Sequence, residues 1–502
     1  MPAAGPESLR LLSATEMYRA DAMAIETGVP GVVLMENAGT ACADAICARF
    51  EPCETVVLCG GGNNGGDGLV IARLLRERGW PVRAALIGDG ADYSGDAAVM
   101  FGRWAGACEA LAPAAIAGAG LIVDAIFGAG LSRAVQGVAA AVIDAANRAD
   151  VPVVAVDIPS GVDGDTGAVH GMAIRAALTV TFFRAKPGHR LLPGRACCGE
   201  TVVADIGISG RALEGLAPAL FDNAPGLWRT DRPRPDTAGH KYARGHAVVV
   251  SGPMASTGAA RLGAMAALRA GAGLVSVASP PDAVAVNAAQ LTAVMVKPFE
   301  GPAGLARLLD DRRFNVVLIG PGAGVGGPTR ALTRVALASG AAVLLDADVL
   351  TSFEGRADDL AAAIAEVADR PVIVTPHEGE FSRLFKDMKI PDEGKHERAR
   401  WAAAALGATV VLKGPDTVVA AADGTAAINT NAPATLATAG SGDVLAGIVA
   451  GLLAQGMPAF AAACAATWIH GDAASRFGPG LIAEDLADMM PAVFAALDAG
   501  TD

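Results

Sequence analysis

The stretch Thr55-Val56-Val57-Leu58-Cys59-Gly60-Gly61-Gly62-Asn63-Asn64-Gly65-Gly66-Asp67-Gly68 runs an apolar, β-branched segment straight into a glycine-rich turn. Just beyond it, Ile71, Leu74 and Leu75 recur at helical spacing opposite Arg73, Arg76 and Glu77, so the order is strand, tight loop, helix. Glycines there let backbone amides approach a ligand at the positive end of the helix, which suits a phosphate or a nucleotide. No Gly-Lys-Ser/Thr follows, and the glycine spacing is not that of the dinucleotide fingerprint, so the loop is neither a P-loop nor an ordinary Rossmann turn. Alone, it also fits a structural turn whose Asn pair satisfies local backbone groups.

Outward from it, similar strand-like runs lie at Val82 to Ile87, Leu121 to Ile126, Val153 to Ile158 and Thr179 to Phe183, with helical patterns between them. Ser13-Ala14-Thr15-Glu16 has capping-box spacing and opens one of these helices. Alternating strands and helices predict a parallel, doubly wound sheet, Rossmann-like in class. Two further strand ends carry polar residues. Leu121 to Ile126 delivers Asp124 and then Gly128-Ala129-Gly130-Leu131-Ser132-Arg133-Ala134, and Val153 to Ile158 delivers Asp157 ahead of Pro159-Ser160-Gly161. In a parallel sheet the carboxyl ends of strands converge, so all three loops are expected to line one crevice.

From Gly210 to Pro235 periodicity lapses into Pro, Arg and Asp, which places a domain boundary near residue 225 and divides the chain into 1–225 and 226–502. Strand-like runs then resume at Ala247 to Ser251, Leu274 to Ala278, Val316 to Ile319, Ala342 to Leu345, Val372 to Thr375 and Thr409 to Lys413, predicting a second, three-layer α/β/α unit. Val444 to Gly471 carries no charged residue, but Gln455, Gly456 and Pro458 cut it into two pieces shorter than a membrane span, so two buried helices are expected.

With 502 residues, 52% of them hydrophobic and 18% charged, the chain has ample material for two deep cores. A net charge of -13 without a basic patch argues against nucleic acid as a partner. Eight scattered cysteines without a Cys-x-x-Cys pair, and no signal-peptide pattern at the start, point to a reduced cytoplasm and no membrane.

A second site is expected where Thr438-Ala439-Gly440-Ser441-Gly442-Asp443 leads into the apolar helix. Small residues leave amides open at a helix amino terminus, able to stabilise charge on a transferring phosphoryl group, with Asp443 beside them. The plainer alternative is an N-cap aspartate. Lys413-Gly414-Pro415-Asp416-Thr417 ends one strand and starts the next, where an adenylate could be gripped, and Thr375-Pro376-His377-Glu378-Gly379-Glu380 ends another. His377 does not open a His-Glu-x-x-His zinc motif, because position 381 is Phe. Gly322 to Gly327 formally spells Gly-x-Gly-x-x-Gly with Asp346 near the ribose position, which keeps a dehydrogenase as a rival.

Across residues 10 to 210 the chain resembles the NAD(P)H-hydrate epimerase family, through Leu34-Met35-Glu36-Asn37-Ala38-Gly39, the Asn-Asn-Gly-Gly-Asp-Gly loop, Val123 to Gly128 and Asp157-Ile158-Pro159-Ser160-Gly161. From about 235 to 500 it resembles the ADP-dependent NAD(P)H-hydrate dehydratases, themselves similar to ribokinase-like enzymes; His240 to His246 and Gly258-Ala259-Ala260-Arg261 add to the likeness. The first resemblance implies that Asn63, Asn64, Gly65, Gly66, Asp67, the segment Gly128 to Ala134 and Asp157 contact the hydrated nucleotide, and that Asn64, Asp124 and Ser160 hold a potassium ion. One carboxylate among neutral oxygens suits such a monovalent cation better than Mg²⁺. A position after Gly128 that is often lysine in the family is Arg133 here, able to meet a phosphate but not to titrate as a base. The second implies hydrate contacts at Ala259, Gly324, His377 and Asp443, and adenine-nucleotide contacts at Lys413, Gly414, Pro415, Asp416, Thr417 and Gly442, with Mg²⁺ on the phosphates of ADP.

Asp157 is the candidate general acid/base for epimerisation, with a ribose contact as the alternative, and Asp443 the candidate base for phosphoryl transfer. The preference for ADP comes from the resemblance alone. The small-molecule partners expected are hydrated NADH or NADPH and ADP, with the chain as a homo-oligomer. A ribokinase-like kinase fused to a nucleotide-sensing module stays open as the other reading.

Overall fold

Runs such as Thr55–Cys59, Leu121–Ala125 and Val153–Val156 are buried along their whole length, which is why they read as unbroken apolar stretches instead of alternating ones. The computed structural model describes residues 5–90, 93–216, 219–234, 237–367 and 370–500. It divides into two units, Arg10–Ala217 and a second one comprising Met1–Leu9 and Pro218–Asp502.

After a short strand β1 (Arg10–Leu11), the first unit holds β2 (Thr55–Cys59), β3 (Val82–Leu86), β4 (Cys108–Ala110), β5 (Leu121–Ala125), β6 (Val153–Val156), β7 (Leu178–Phe182) and β8 (Glu200–Ala204). Strands β2 to β8 form one sheet in the order β4-β3-β2-β5-β6-β7-β8, with every neighbouring pair parallel. The winding direction reverses between β2 and β5, and a parallel sheet opens its ligand crevice at such a switch point. Cys59 and Ala125, the last residues of those two strands, are register partners there. Helices Gly31–Cys47 and Asn63–Glu77 cover one face through Leu34, Ile46, Leu69, Ile71 and Leu75, while Gly137–Arg148 covers the other through Val142 and Ile143. The expected capping box is present, with Ser13 accepting from Glu16 N and the Glu16 side chain accepting from Ser13 N.

The glycine loop is shorter than the sequence suggested, because the helix already begins at Asn63. Several of its glycines serve close packing. A Cβ on Gly65 would lie 1.7 Å from Gly60 O, and one on Gly68 would lie 2.6 Å from Ala125 Cβ.

The second unit contains β9 (Leu220–Asp222), β10 (His246–Val250), β11 (Leu274–Ser279), β12 (Met295–Pro298), β13 (Val316–Ile319), β14 (Ala342–Leu345), β15 (Val372–Val374), β16 (Thr409–Leu412), β17 (Thr417–Ala420) and β18 (Ala426–Asn429). Their order is β9-β18-β17-β16-β15-β14-β13-β10-β11-β12. The pairs β16·β17 and β17·β18 are antiparallel, and the other pairs are parallel. The unit starts before residue 225 because β9 pairs with β18, Leu220 against Ala426.

The apolar segment forms helices Ser441–Ala454 and Ala459–Phe477. The first buries Val444, Ile448, Val449 and Leu452, each worth about 1.5–3 kcal/mol relative to exposure. Gly447 and Gly451 let it press against helix Thr257–Arg269, since a Cβ at either would lie 2.2 and 2.5 Å from the Gly263 and Ala267 carbonyl oxygens. Among the described residues no helix is long and apolar enough to cross a membrane.

Candidate active sites

In the first unit a cleft opens at the strand tips, walled on one side by Met17, Tyr18 and Asp21 of helix Ala14–Glu26 and floored by Asn64, Asp157 and Lys186. Asp157 follows β6 with φ 66°, a left-handed conformation that costs a non-glycine residue energy and that Asp tolerates better than most. Its Oδ1 accepts from Lys186 Nζ at 2.5 Å and from Thr181 Oγ1 at 3.0 Å, and Lys186 also donates to Thr181 at 2.9 Å. The amide of Lys186 donates to His189 Nδ1 at 2.9 Å, so the ring proton sits on Nε2 and is donated to Asp157 O at 2.8 Å.

Burial alone would raise Asp157, but the Lys186 ammonium outweighs it, aided by His189 and Thr181, and holds this carboxyl below its usual range. Burial, with the Lys186 charge, pushes His189 down to about 4, so its ring is neutral. Asp21 moves the other way. Burial pushes it up to about 6, with Lys186 pulling down and Asp157 pushing up. Asp67 is raised well above the ordinary carboxyl range by burial and then by Asp157 and Asp21.

Of the residues expected here, Asn63, Asn64, Asp67, Gly128, Ala129 and Asp157 line the cleft. Gly65 and Gly66 do not; they are buried in the helix, with a Cβ on Gly66 falling 2.7 Å from Met35 Sδ. Gly130 lies against Tyr18, since its Cβ would sit 2.7 Å from that hydroxyl. Leu131 is half-buried, and Ser132, Arg133 and Ala134 extend the loop into solvent. Lys186, Asp21 and His189 were missed. Lys186 and His189 flank a Pro-Gly turn directly after a strand, a signal of the kind used for Asp124 and Asp157, whereas nothing distinguished Asp21 from other polar residues of its helix.

Behind the cleft Asp124 is fully buried. It accepts from Ser160 Oγ at 2.6 Å, Ser160 N at 2.8 Å and Ile126 N at 3.3 Å, and Ser160 Oγ accepts from Phe127 N at 2.8 Å. The Asn64 side chain packs on Gly128, 3.5 Å from where its Cβ would be, and its buried amide nitrogen has no partner. That orphaned amide, turned to present its oxygen, together with the spare lone pairs of Asp124 and Ser160, is a donor set that fits a monovalent cation.

In the second unit Asp443 stands in the first turn of helix Ser441–Ala454. The N-cap is Gly440, at φ 85°, with no side-chain cap bond, so Asp443 is not an N-cap residue. Burial pushes its carboxyl up to about 6, with Asp346 and Asp348 adding to the rise and Lys413 opposing it. Lys413 lies between these acids, 2.9 Å from Asp346 Oδ1 and 3.8 Å from Glu380 Oε2, and 3.6 Å from a Cβ built on Gly442. Burial would lower Lys413, but Asp346 and Glu380 hold it above its ordinary value. Asp346 is thus committed to a lysine, which removes the ribose-binding acid that a dehydrogenase reading requires.

The other expected residues surround this point in different degrees. Ala259 is half-buried in the first turn of helix Thr257–Arg269, whose Leu262 packs beside the Gly440 turn and whose Gly263 faces the Asp443 carbonyl, 3.4 Å from where a Cβ on that glycine would lie. Gly324 N donates to Asp348 Oδ2 at 2.8 Å, and a Cβ there would meet open space. His377 caps helix Glu378–Leu384, its Nδ1 accepting from Gly379 N and Glu380 N at 2.9 and 3.2 Å. Asp416 is held by Lys395 Nζ at 2.7 Å and Thr417 closes its own turn onto Gly414 at 2.7 Å. Gly414 is therefore fixed from both sides, with Pro415 exposed beside it.

Residues 247–490 match the family described as NAD(P)H-hydrate dehydratase, and residues 31–188 match that described as the YjeF-related protein N-terminus. The chain is 37% identical over 526 residues to the bifunctional NAD(P)H-hydrate repair enzyme Nnr of Moorella thermoacetica, covering 97% of each chain. It belongs to the bifunctional NAD(P)H-hydrate repair enzyme family. Other members are as similar: that of Salinibacter ruber is 35% identical over 97% of this chain and 96% of its own. The crystal structure of the ADP/ATP-dependent NAD(P)H-hydrate dehydratase from Bacillus subtilis, co-crystallized with ATP/Mg²⁺, is 26% identical with a TM-score of 0.48, covering 55% of this chain and 98% of that one. The two family matches of this repair enzyme fall one in each unit.

Proposed function

We propose that the chain repairs hydrated NADH and NADPH in two steps: the first unit interconverts the R and S hydrates, and the second removes water from the S hydrate at the expense of ADP, releasing AMP and phosphate. The observation that carries the reading of the second unit is Asp443, uncapped and half-buried at an open helix terminus beside Lys413. Hydroxide leaves poorly, so a phosphoryl group placed on the hydrate oxygen turns it into a good leaving group. Asp443 takes the hydroxyl proton as transfer begins, and the amides around Gly442 hold the developing charge. Lys413 to Thr417 would lie against the adenylate, whose phosphates would carry Mg²⁺ to neutralise their charge, and Ala259, Gly324 and His377 would lie on the hydrate side.

In the first unit, Asn63, Asn64, Asp67, Gly128 and Ala129 hold the hydrate and Asp157 moves the proton, while Asn64, Asp124 and Ser160 hold K⁺. The cation supplies fixed positive charge that orders the loops around it. Eight free cysteines, several of them buried, favour a reducing cytoplasm as the place of work. Incubating the purified chain with mixed hydrate epimers, with and without ADP and Mg²⁺, and separating the products tests the whole reading. Expected are epimer exchange without ADP and reduced nucleotide, AMP and phosphate with it. A stable phosphorylated product would instead make the second unit a small-molecule kinase.

A further inference from the structure

The lining of the first cleft contains two kinds of carboxyl group. Asp157 rises from the strand tips, tied to Lys186 and Thr181. Asp21 comes from the other wall, on the helical face formed by Ala14, Met17, Tyr18, Asp21 and Ile25, all of which line the cleft. The charged groups bordering the same space are Asp67, Asp96, Asp157 and Lys186. With a single ammonium among four carboxyls, and that ammonium bonded to Asp157, the remaining acids cannot all stay ionised. Lys186 selects Asp157 as the anion, and burial raises both Asp21 and Asp67; of these two, Asp21 stands across the cleft on helix Ala14–Glu26, whereas Asp67 lies in helix Asn63–Glu77 at the strand tips. Two carboxyls in one cleft whose environments drive them apart form an acid and base pair.

We propose that Asp21 is the second catalytic residue of the epimerase site, the proton donor that works with the Asp157 base from the other wall of the cleft. This rests on the epimerase reading of the first unit. In the hydrate the hydroxyl sits on the ring carbon bonded to the ring nitrogen. Asp21 gives its proton to that oxygen, the C–O bond breaks with its electron pair leaving in water, and the nitrogen lone pair closes a C=N⁺ iminium bond. A water then adds to the opposite face; the iminium electrons return to nitrogen as the new C–O bond forms, and the surplus proton passes to Asp157. One proton enters and one leaves. Between turnovers Asp21 regains a proton from solvent water and Asp157 yields one to it, so both carboxyls are reset whichever epimer arrives next, and no oxidant or co-reactant is needed.

The test uses the full chain and mixed NADH-hydrate epimers in H₂¹⁸O. Wild type is expected to exchange the epimers and to incorporate ¹⁸O at the rate of exchange. Asp21→Asn is expected to lose at least 100-fold in kcat for both while KM changes little, with Asp21→Glu recovering a substantial part, and with the Asn variant still melting at the wild-type temperature. Epimer exchange at the wild-type rate in Asp21→Asn, together with loss in Asp157→Asn, would overturn the role of Asp21 and leave the epimerase reading intact. Exchange in wild type without ¹⁸O incorporation would overturn the water-loss route and with it the assignment. No exchange in wild type would sink the epimerase reading itself.

Discussion

Lys413 Nζ donates to Asp346 Oδ1 across 2.9 Å, tying the tip of β16 to the tip of β14 beneath the Asp443 helix. Asp346 is 2% exposed, so its charge is tolerated only with that partner. Lys413→Met is expected to destabilise the second unit by about 3–5 kcal/mol, the usual cost of stranding a buried charge. The double variant Lys413→Met, Asp346→Asn should recover part of it. Urea unfolding of both variants checks this, and equal losses would show that the lysine acts by packing alone.

Asp443 must be ionised to take a proton, and its carboxyl titrates near 6. Dehydration should therefore fall about tenfold per pH unit below that value, while remaining level above it. Asp443→Asn is expected to lower the ADP-dependent rate by about 10²–10⁴-fold and to abolish the acid limb, leaving epimer exchange unchanged. The measurement is the return of reduced-nicotinamide absorbance across pH.

Replacing Lys186 by Met removes the charge that holds Asp157 low. The Asp157 carboxyl then rises under burial, and epimer exchange should lose activity at neutral pH with its acid limb displaced upward. The ion pair also contributes stability that is present above the ordinary carboxyl pKa and is lost as pH falls through the depressed folded value. Lys186→Met should accordingly flatten the acid side of the thermal-stability profile.

If Asn64, Asp124 and Ser160 hold a cation, replacing K⁺ by tetramethylammonium should lower the melting temperature of the first unit, and restoring K⁺ should reverse it. Asp124→Asn should remove the response. An identical melting curve in the two salts for wild type would count against the donor set.

Glycine positions within one loop should differ sharply. Gly65→Ala drives a methyl to 1.7 Å from Gly60 O and is expected to cost more than the usual 1–3 kcal/mol of overpacking, whereas Gly62→Ala meets nothing within 4 Å. Denaturant midpoints of the two variants make the comparison.

The buried parallel strands were legible because a strand enclosed on both faces can be neither polar nor alternating, as at Thr55–Cys59 and Val316–Ile319, whose limits the structure reproduces. β4 escaped notice because Cys108–Ala110 is short and exposed, and β18 because an antiparallel addition needs no helix before it to announce the strand; the start of β17 at Thr417 was legible from the Gly-Pro turn ahead of it. At the sites, strand-end acids stood out against apolar runs. Asp21 and the pairing of Lys413 with Asp346 did not, since both depend on which distant elements meet, and spacing along a chain carries no record of that. Gly65 and Gly66 were read as ligand contacts for a related reason. A glycine that admits a phosphate and one that admits a neighbouring backbone look alike until the neighbour is placed.

The positive φ of Asp157 narrows what that position can hold. Asparagine can follow the same backbone path while surrendering the negative charge, and glycine can follow it while surrendering the side chain, but a β-branched residue would have to bend the chain. Glutamate keeps the carboxyl yet faces the same steric toll, with its acid group one methylene too far from Lys186. The main chain thus permits only a very small vocabulary here, and drift at this position would tend to silence the chemistry before it could retune it.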